Sequence, residues 1–179
     1  MTNPLEYLIS ELNKEKLWEG HLILQRNDYL KVQGSTDTRL YFIQTGCLRV
    51  FVVDDSEEHT IRFGYENNVI AALDSFITEQ TSDMVIQALR KTEVQVLEKA
   101  TFMGFVRSSP ERFDCWLQLL EQLIHQQLER ERDLLTSAPA ERFRRVLQRS
   151  PQLFQEVPHK YIASYLRMTP ETLSRLKNG

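Results

Sequence analysis

Residues 159–178, HKYIASYLRMTPETLSRLKN, carry the side chains of this sequence best suited to contacting another molecule. The polar face of the segment's second half holds Glu171, Thr172, Ser174, Arg175 and Lys177. A helix with such a face fits a major groove and reaches base edges and phosphates. Ile162, Ala163 and Leu166 mark the apolar face of a first helix, and Arg167–Thr169 interrupts it. Thr169 then offers an N-cap hydroxyl, Pro170 fits the first helical turn, and Glu171 complements the positive helix end. Leu173 and Leu176 follow at helical spacing, and small Ala163 lets two helices cross closely. The pattern is that of a helix-turn-helix. An ordinary helical hairpin with a solvated charged face has the same spacing, and spacing alone does not choose between them.

The charge distribution bears on that choice. The chain has 179 residues and a net charge of −3, so it is not basic throughout. Residues 137–179 nevertheless hold eight Lys or Arg against three Glu, a charge of +5, which leaves −8 on the remainder. A basic end on an acidic body is the asymmetry expected of a module that meets phosphates. The 41% apolar content supports an ordinary core. Cys47 and Cys115 lack metal-ligand spacing and read as small buried apolar residues in a reducing compartment. Neither a signal peptide nor an apolar run of ~20 residues is evident, so the expectation is a cytoplasmic protein without a membrane partner.

The elements that must carry the segment are legible upstream. Asn3-Pro4-Leu5-Glu6 opens an amphipathic helix through Leu5, Leu8, Ile9 and Leu12. From residue 17 to about 97 the pattern becomes short β-prone runs at 21–24, 40–43, 48–53, 60–63, 85–89 and 93–97. Gly20, Gly34, Gly46, Asp54-Asp55 and Gly64 separate them, which suggests a closed antiparallel roll. A short helix is expected within 67–80 and another at 101–106. Ser109-Pro110-Glu111 starts a long helix to about Leu135. Phe113, Leu117, Leu120, Ile124, Gln127, Glu131 and Leu134 fall on alternating three- and four-residue steps along it, a seam suited to pairing two copies. Ser137-Ala138-Pro139 marks a hinge, and a helix follows over 140–148.

This order resembles the Crp/Fnr family of bacterial transcription regulators over nearly the whole chain. The stretch Gly34…Leu40-Tyr41-Phe42-Ile43-Gln44-Thr45-Gly46-Cys47-Leu48-Arg49-Val50 is similar to the family's β-roll signature. Ser109-Pro110-Glu111 resembles its dimer-helix start, and residues 161–175 resemble its DNA-reading module. The resemblance implies an α+β chain. Residues 1–136 would form an antiparallel β-roll or jelly roll with flanking helices and a dimerisation helix at about 110–135. Residues 137–179 would form a small all-α helix-turn-helix domain lacking a wing. It implies a homodimer that binds double-stranded DNA and meets RNA polymerase. Glu171 and Arg175 match positions that touch base edges, where Arg forks onto guanine and Glu accepts from cytosine. Thr172, Ser174, Lys177 and Lys160 suit phosphates, and Thr169 suits either besides its cap. Arg167 stands where the family commonly has glycine, at a cost of about 1 kcal/mol if the turn is left-handed.

Cyclic nucleotides, which many relatives hold in the roll, are not expected here. The resemblance places Ala72 where a ribose-binding Glu belongs, and Ser82-Asp83 where an Arg-Ser pair meets the phosphate. An Asp there repels a phosphate. An unknown small-molecule effector would instead meet Asp74, Ser75, Ser82, Asp83, Gln126 and Gln127, which suit a neutral or cationic ligand. No cofactor, metal or catalytic residue is predicted. His21, His59, His125 and His159 are scattered, and no hydrolase, zinc-protease, P-loop or dinucleotide motif occurs. The competing expectations are a ligand-binding roll with a degenerate helix-turn-helix and a cupin-like enzyme.

Overall fold

The computed structural model describes residues 3–178. Helix α1, Pro4–Glu15, starts where Asn3 Oδ1 accepts from the Leu5 N–H at 3.0 Å. Eight strands follow: β1 Gly20–Leu24, β2 Tyr29–Lys31, β3 Leu40–Thr45, β4 Cys47–Asp54, β5 Glu57–Tyr65, β6 Val69–Ile70, β7 Val85–Ala88 and β8 Thr92–Leu97. Helix α2, Leu73–Thr78, lies between β6 and β7. Five of the eight helices close the chain: α4 Pro110–Leu135, α5 Pro139–Arg149, α6 Pro151–Glu156, α7 His159–Tyr165 and α8 Pro170–Asn178. They are preceded by α3, Lys99–Arg107.

The strands form two antiparallel sheets, β1-β8-β3-β6 and β2-β7-β4-β5, stacked as a jelly roll. Alternation decides what each strand faces. Tyr41, Ile43, Val94 and Val96 of one sheet meet Leu48, Val50, Ile86 and Ala88 of the other inside the roll. The outer face of the first sheet is apolar too. Leu40 and Leu97 pack there on Leu8 and Leu12 of α1, on Phe102, Phe105 and Val106 of α3, and on Trp116 of α4. Strands covered on both faces read as continuous apolar runs, which is why residues 40–43 show no polar alternation and 47–51 are interrupted only by the buried Arg49. Gly46 is required at its turn. Its φ is +102°, and a Cβ there would collide with Lys91 O and Thr92 Oγ1.

The roll extends beyond the six runs expected. Strands β2 and β6 are additional, and the stretch between α5 and α7 is helical as α6. Lys31 in β2 is buried, and its ammonium donates to the carbonyls of Val32, Ser82 and Met84 at 3.0, 2.9 and 2.7 Å. Those three bonds use all three of its donors.

Candidate nucleic-acid interface

The C-terminal module is built on a core of Val146, Leu153, Val157, Ile162, Ala163, Leu166 and Leu173. Two buried polar groups fix its geometry. Arg142, inside α5, donates through Nε to Leu166 O at 2.9 Å and through Nη2 to Arg167 O at 3.1 Å. Its Nη1 reaches Thr136 O at 2.5 Å and Ser137 O at 3.2 Å. One guanidinium thus joins the hinge after α4 to the turn between α7 and α8. Asp133, wholly buried at the end of α4, accepts from Arg145 Nε at 3.0 Å and from Arg149 Nη2. Glu129 takes the Arg145 Nη2 donor at 3.1 Å.

The turn between α7 and α8 is left-handed at Arg167. Arg167 has φ +52°, a left-handed residue without glycine, and its N–H donates to Ser164 O at 3.1 Å. Thr169 Oγ1 accepts the Thr172 N–H at 3.2 Å, capping α8. Hydrogen bonds from its own N–H and from Thr169 hold the Glu171 carboxyl below its ordinary pKa. Leu173 anchors α8, while Glu171, Ser174, Arg175 and Lys177 are exposed on the far side. Thr172 is half-buried. Lys177 Nζ lies 2.9 Å from His159 Nε2, and Lys160 lies over the Tyr161 ring at 4.5 Å. Arg175 forms no hydrogen bond or ion pair among the described residues, so its fork is free.

Helix α7, by contrast, is seated on the roll. Ser164 Oγ donates to Glu58 O at 2.8 Å and accepts from the Thr60 N–H at 3.1 Å. Arg167 lies 2.8 Å from His59 Nδ1. The buried Arg49 guanidinium stacks on Phe51 and Tyr161, and Arg130 of α4 stacks on Tyr165 at 3.7 Å. Cys47 and Leu89 of the roll join the module's apolar core. Burial pushes the Cys47 thiol up to about 12, which leaves it a packing group with almost no thiolate.

On α4, Phe113, Leu117, Ile124 and Leu134 of the expected seam are exposed, as are Gln127 and Glu131, and Leu120 is half-buried. The sequence reading missed Leu128 and Leu135, which are 55% and 77% exposed. They stand eleven residues beyond Leu117 and Ile124. An eleven-residue step, 3.67 per turn, tracks a straight helix better than the strict heptad that selects Gln127 and Glu131.

Of the residues expected around an effector, Asp74, Ser75, Ser82 and Asp83 gather near Lys31, and Gln126 and Gln127 stand on α4. Ser75 Oγ accepts from the Asp37 N–H at 2.9 Å and donates to Gln80 O at 2.8 Å. Ser82 Oγ accepts from the Met84 N–H at 3.0 Å. Asp74 accepts from the Ser75 N–H, and Asp83 is exposed. Gln127 borders a shallow cleft with Ile77 and Leu128, and Gln126 alone of the six lines an apolar cavity beneath α1 and α4. Among the described residues no helix is long and apolar enough to cross a membrane, and no group of three or more His, Cys, Asp or Glu is placed to hold a metal ion.

Comparison with known proteins places this architecture. Residues 22–109 match the cyclic nucleotide-binding domain family. No curated protein matches the chain by sequence. A mutant of CooA from Carboxydothermus hydrogenoformans superposes with TM-score 0.73 at 19% identity, covering 99% of this chain and 83% of that one. FixK2 from Bradyrhizobium japonicum gives TM-score 0.71 at 16% identity, covering 89% and 82%. The Catabolite Activator Protein of Thermus thermophilus gives 0.58 at 18% identity, covering 99% and 82%. Residues 22–109 are thus similar to the cyclic nucleotide-binding domain family, and the chain as a whole has a Crp/Fnr-like fold.

Proposed function

We propose that this chain is a homodimeric, DNA-binding transcription regulator of Crp/Fnr type. The observation that carries the reading is α8. It is capped by Thr169, anchored by Leu173, and presents Glu171, Ser174, Arg175 and Lys177 to solvent on the basic end of an acidic chain. Arg175 and Glu171 read base edges, and Lys160, Thr172, Ser174 and Lys177 hold phosphates, with Thr169 beside them. Two copies pair along α4, so that two reading helices meet two half-sites. Substituting Arg175→Ala is expected to weaken binding to a selected duplex by about 1–3 kcal/mol and to relax sequence preference. Gel-shift titration at fixed salt measures it, and unchanged affinity removes Arg175 from the reading set.

The seat of α7 on β5 supplies the switch. Ser164, Arg167 and Tyr165 hold the module against the roll, so an effector acts by changing the population of seated and released modules. That effector is not cyclic AMP. Ser82 is consumed by its own turn, Asp83 repels phosphate, and Lys31 has no donor left to offer. Calorimetry with cyclic AMP is expected to give no saturable heat. Micromolar or tighter binding contradicts this part of the reading.

A further inference from the structure

A cavity borders the stretch that would hold a cyclic phosphate, with Val69, Ala71 and Leu73 in its wall. It measures about 320 Å³ and opens where the edge strands β5 and β6 part, beneath α1 and α4. Most of its wall is apolar, with Leu8, Trp18, Phe76, Phe102, Trp116 and Leu123 among the lining residues. A cavity of that size and character suits a small ligand with one polar end.

One charged side chain enters this wall. Arg62 in β5 pairs with Val50 of β4, and cross-strand partners point to the same face. Val50 belongs to the roll interior, so Arg62 starts from the inner face of an edge strand, and it is among the residues that line the cavity. It is half-buried, and burial pushes its guanidinium below the ordinary arginine pKa. Among the described residues it forms no hydrogen bond and no ion pair. The other partly buried arginines differ. Arg49 has Glu58, Arg112 has Glu11 and Glu15, Arg145 and Arg149 have Asp133, and Arg130 has the Tyr165 ring. Among the described residues only Arg130 has a buried guanidinium nitrogen without a hydrogen bond, so Arg62 keeps its nitrogens within reach of water, and a planar carboxylate is the group that matches its free fork.

We propose that this cavity binds an apolar carboxylic acid, with Arg62 holding the carboxylate and the hydrocarbon tail lying among Trp18, Trp116 and Phe102. Gln122 and Gln126 of α4 line the same cavity and add amide donors. A nucleotide fits poorly, since its sugar and base need many polar partners and the wall supplies few. The site also faces the switch. Phe63, beside Arg62, stacks on Tyr165 of α7 at 5.7 Å, and Thr60, two residues earlier, bonds Ser164. A ligand that draws Arg62 inward therefore acts on the strand that seats the reading module. This last link rests on the regulator reading, whereas the binding site stands apart from it.

Trp18 and Trp116 are the chain's only tryptophans and both line the cavity, so intrinsic emission reports occupancy without a label. The full chain is titrated with decanoate and with decanol, both below micelle-forming concentrations. Decanoate is expected to shift the emission saturably, with one site per protomer and at least tenfold tighter binding than decanol. Arg62→Gln is expected to abolish that preference while leaving decanol binding in place, and Arg62→Lys to keep most of it. Circular dichroism checks that the variants are folded, and if Arg62→Gln is not, the wild-type preference and Arg62→Lys still decide. Absence of saturable decanoate binding overturns the proposal, as does equal affinity for decanol, or a preference that survives in folded Arg62→Gln. Affinity for DNA is read in a separate titration, so its loss with decanoate binding intact sinks the regulator reading and not the site.

Discussion

Asp133→Ala is expected to lower the stability of the chain by about 3 kcal/mol, the low end of the range for breaking a buried ion pair. Asp133 is wholly buried and stands between Arg145 and Arg149, both of which retain some solvent contact. Removing it leaves two neighbouring guanidiniums with Glu129 alone to neutralise them, and the void cannot be filled by a methyl group. The cost falls where α4 ends and α5 begins, so the reading module should loosen before the roll does. Denaturant unfolding followed by fluorescence measures the global loss. Hydrogen exchange should show α5 to α8 opening first. A loss below about 0.5 kcal/mol, the scale of an exposed pair, would mean that Asp133 is not the tether described.

The second large effect is on assembly. Ile124→Glu is expected to convert a dimer to a monomer at micromolar concentration, a loss of about 3 kcal/mol or more in association. Ile124 is 60% exposed, so the substitution costs the isolated protomer little. In a two-fold pair it places two carboxylates near the axis, in a stripe whose other members are Leu117, Leu128 and Leu135. Leu128→Glu should act in the same direction, whereas Gln127→Glu should do less if the apolar stripe follows the straight helix. Sedimentation equilibrium separates these outcomes. A wild-type chain that sediments as a monomer removes α4 as the pairing surface.

Both effects come from places where the sequence was informative in different degrees. Six of the eight strands, the long helix and the helices α7 and α8 were legible because their apolar or β-prone residues run over four or more positions or sit between unambiguous caps. The three-residue β2 and the two-residue β6 are too short to carry a period, and Lys31 disguises β2 as a loop. Six-residue α6, between two prolines, reads as punctuation. The buried polar groups were the least legible. Arg142 and Asp133 carry charges that residue type assigns to solvent, and only the approach of the hinge and turn carbonyls or of neighbouring arginines makes burial tolerable. Arg62 was missed for a related reason. The β-bulge at Val50 and Phe51 shifts the alternation of β5, so its facing cannot be counted from the sequence. Ser75 and Ser82 were expected to meet a ligand because they lie in the stretch that resembles the family's phosphate cassette, and their bonds to neighbouring backbone groups could not be read from that resemblance.

The central claim is that two copies of α8 read two adjacent grooves. Selecting duplexes from a random pool with the full chain, then sedimenting the complex, tests it most directly. The account predicts an enriched inverted repeat whose half-site centres lie about 34 Å apart, bound by two protomers. A pool without enrichment, or a single half-site bound by one protomer, contradicts it.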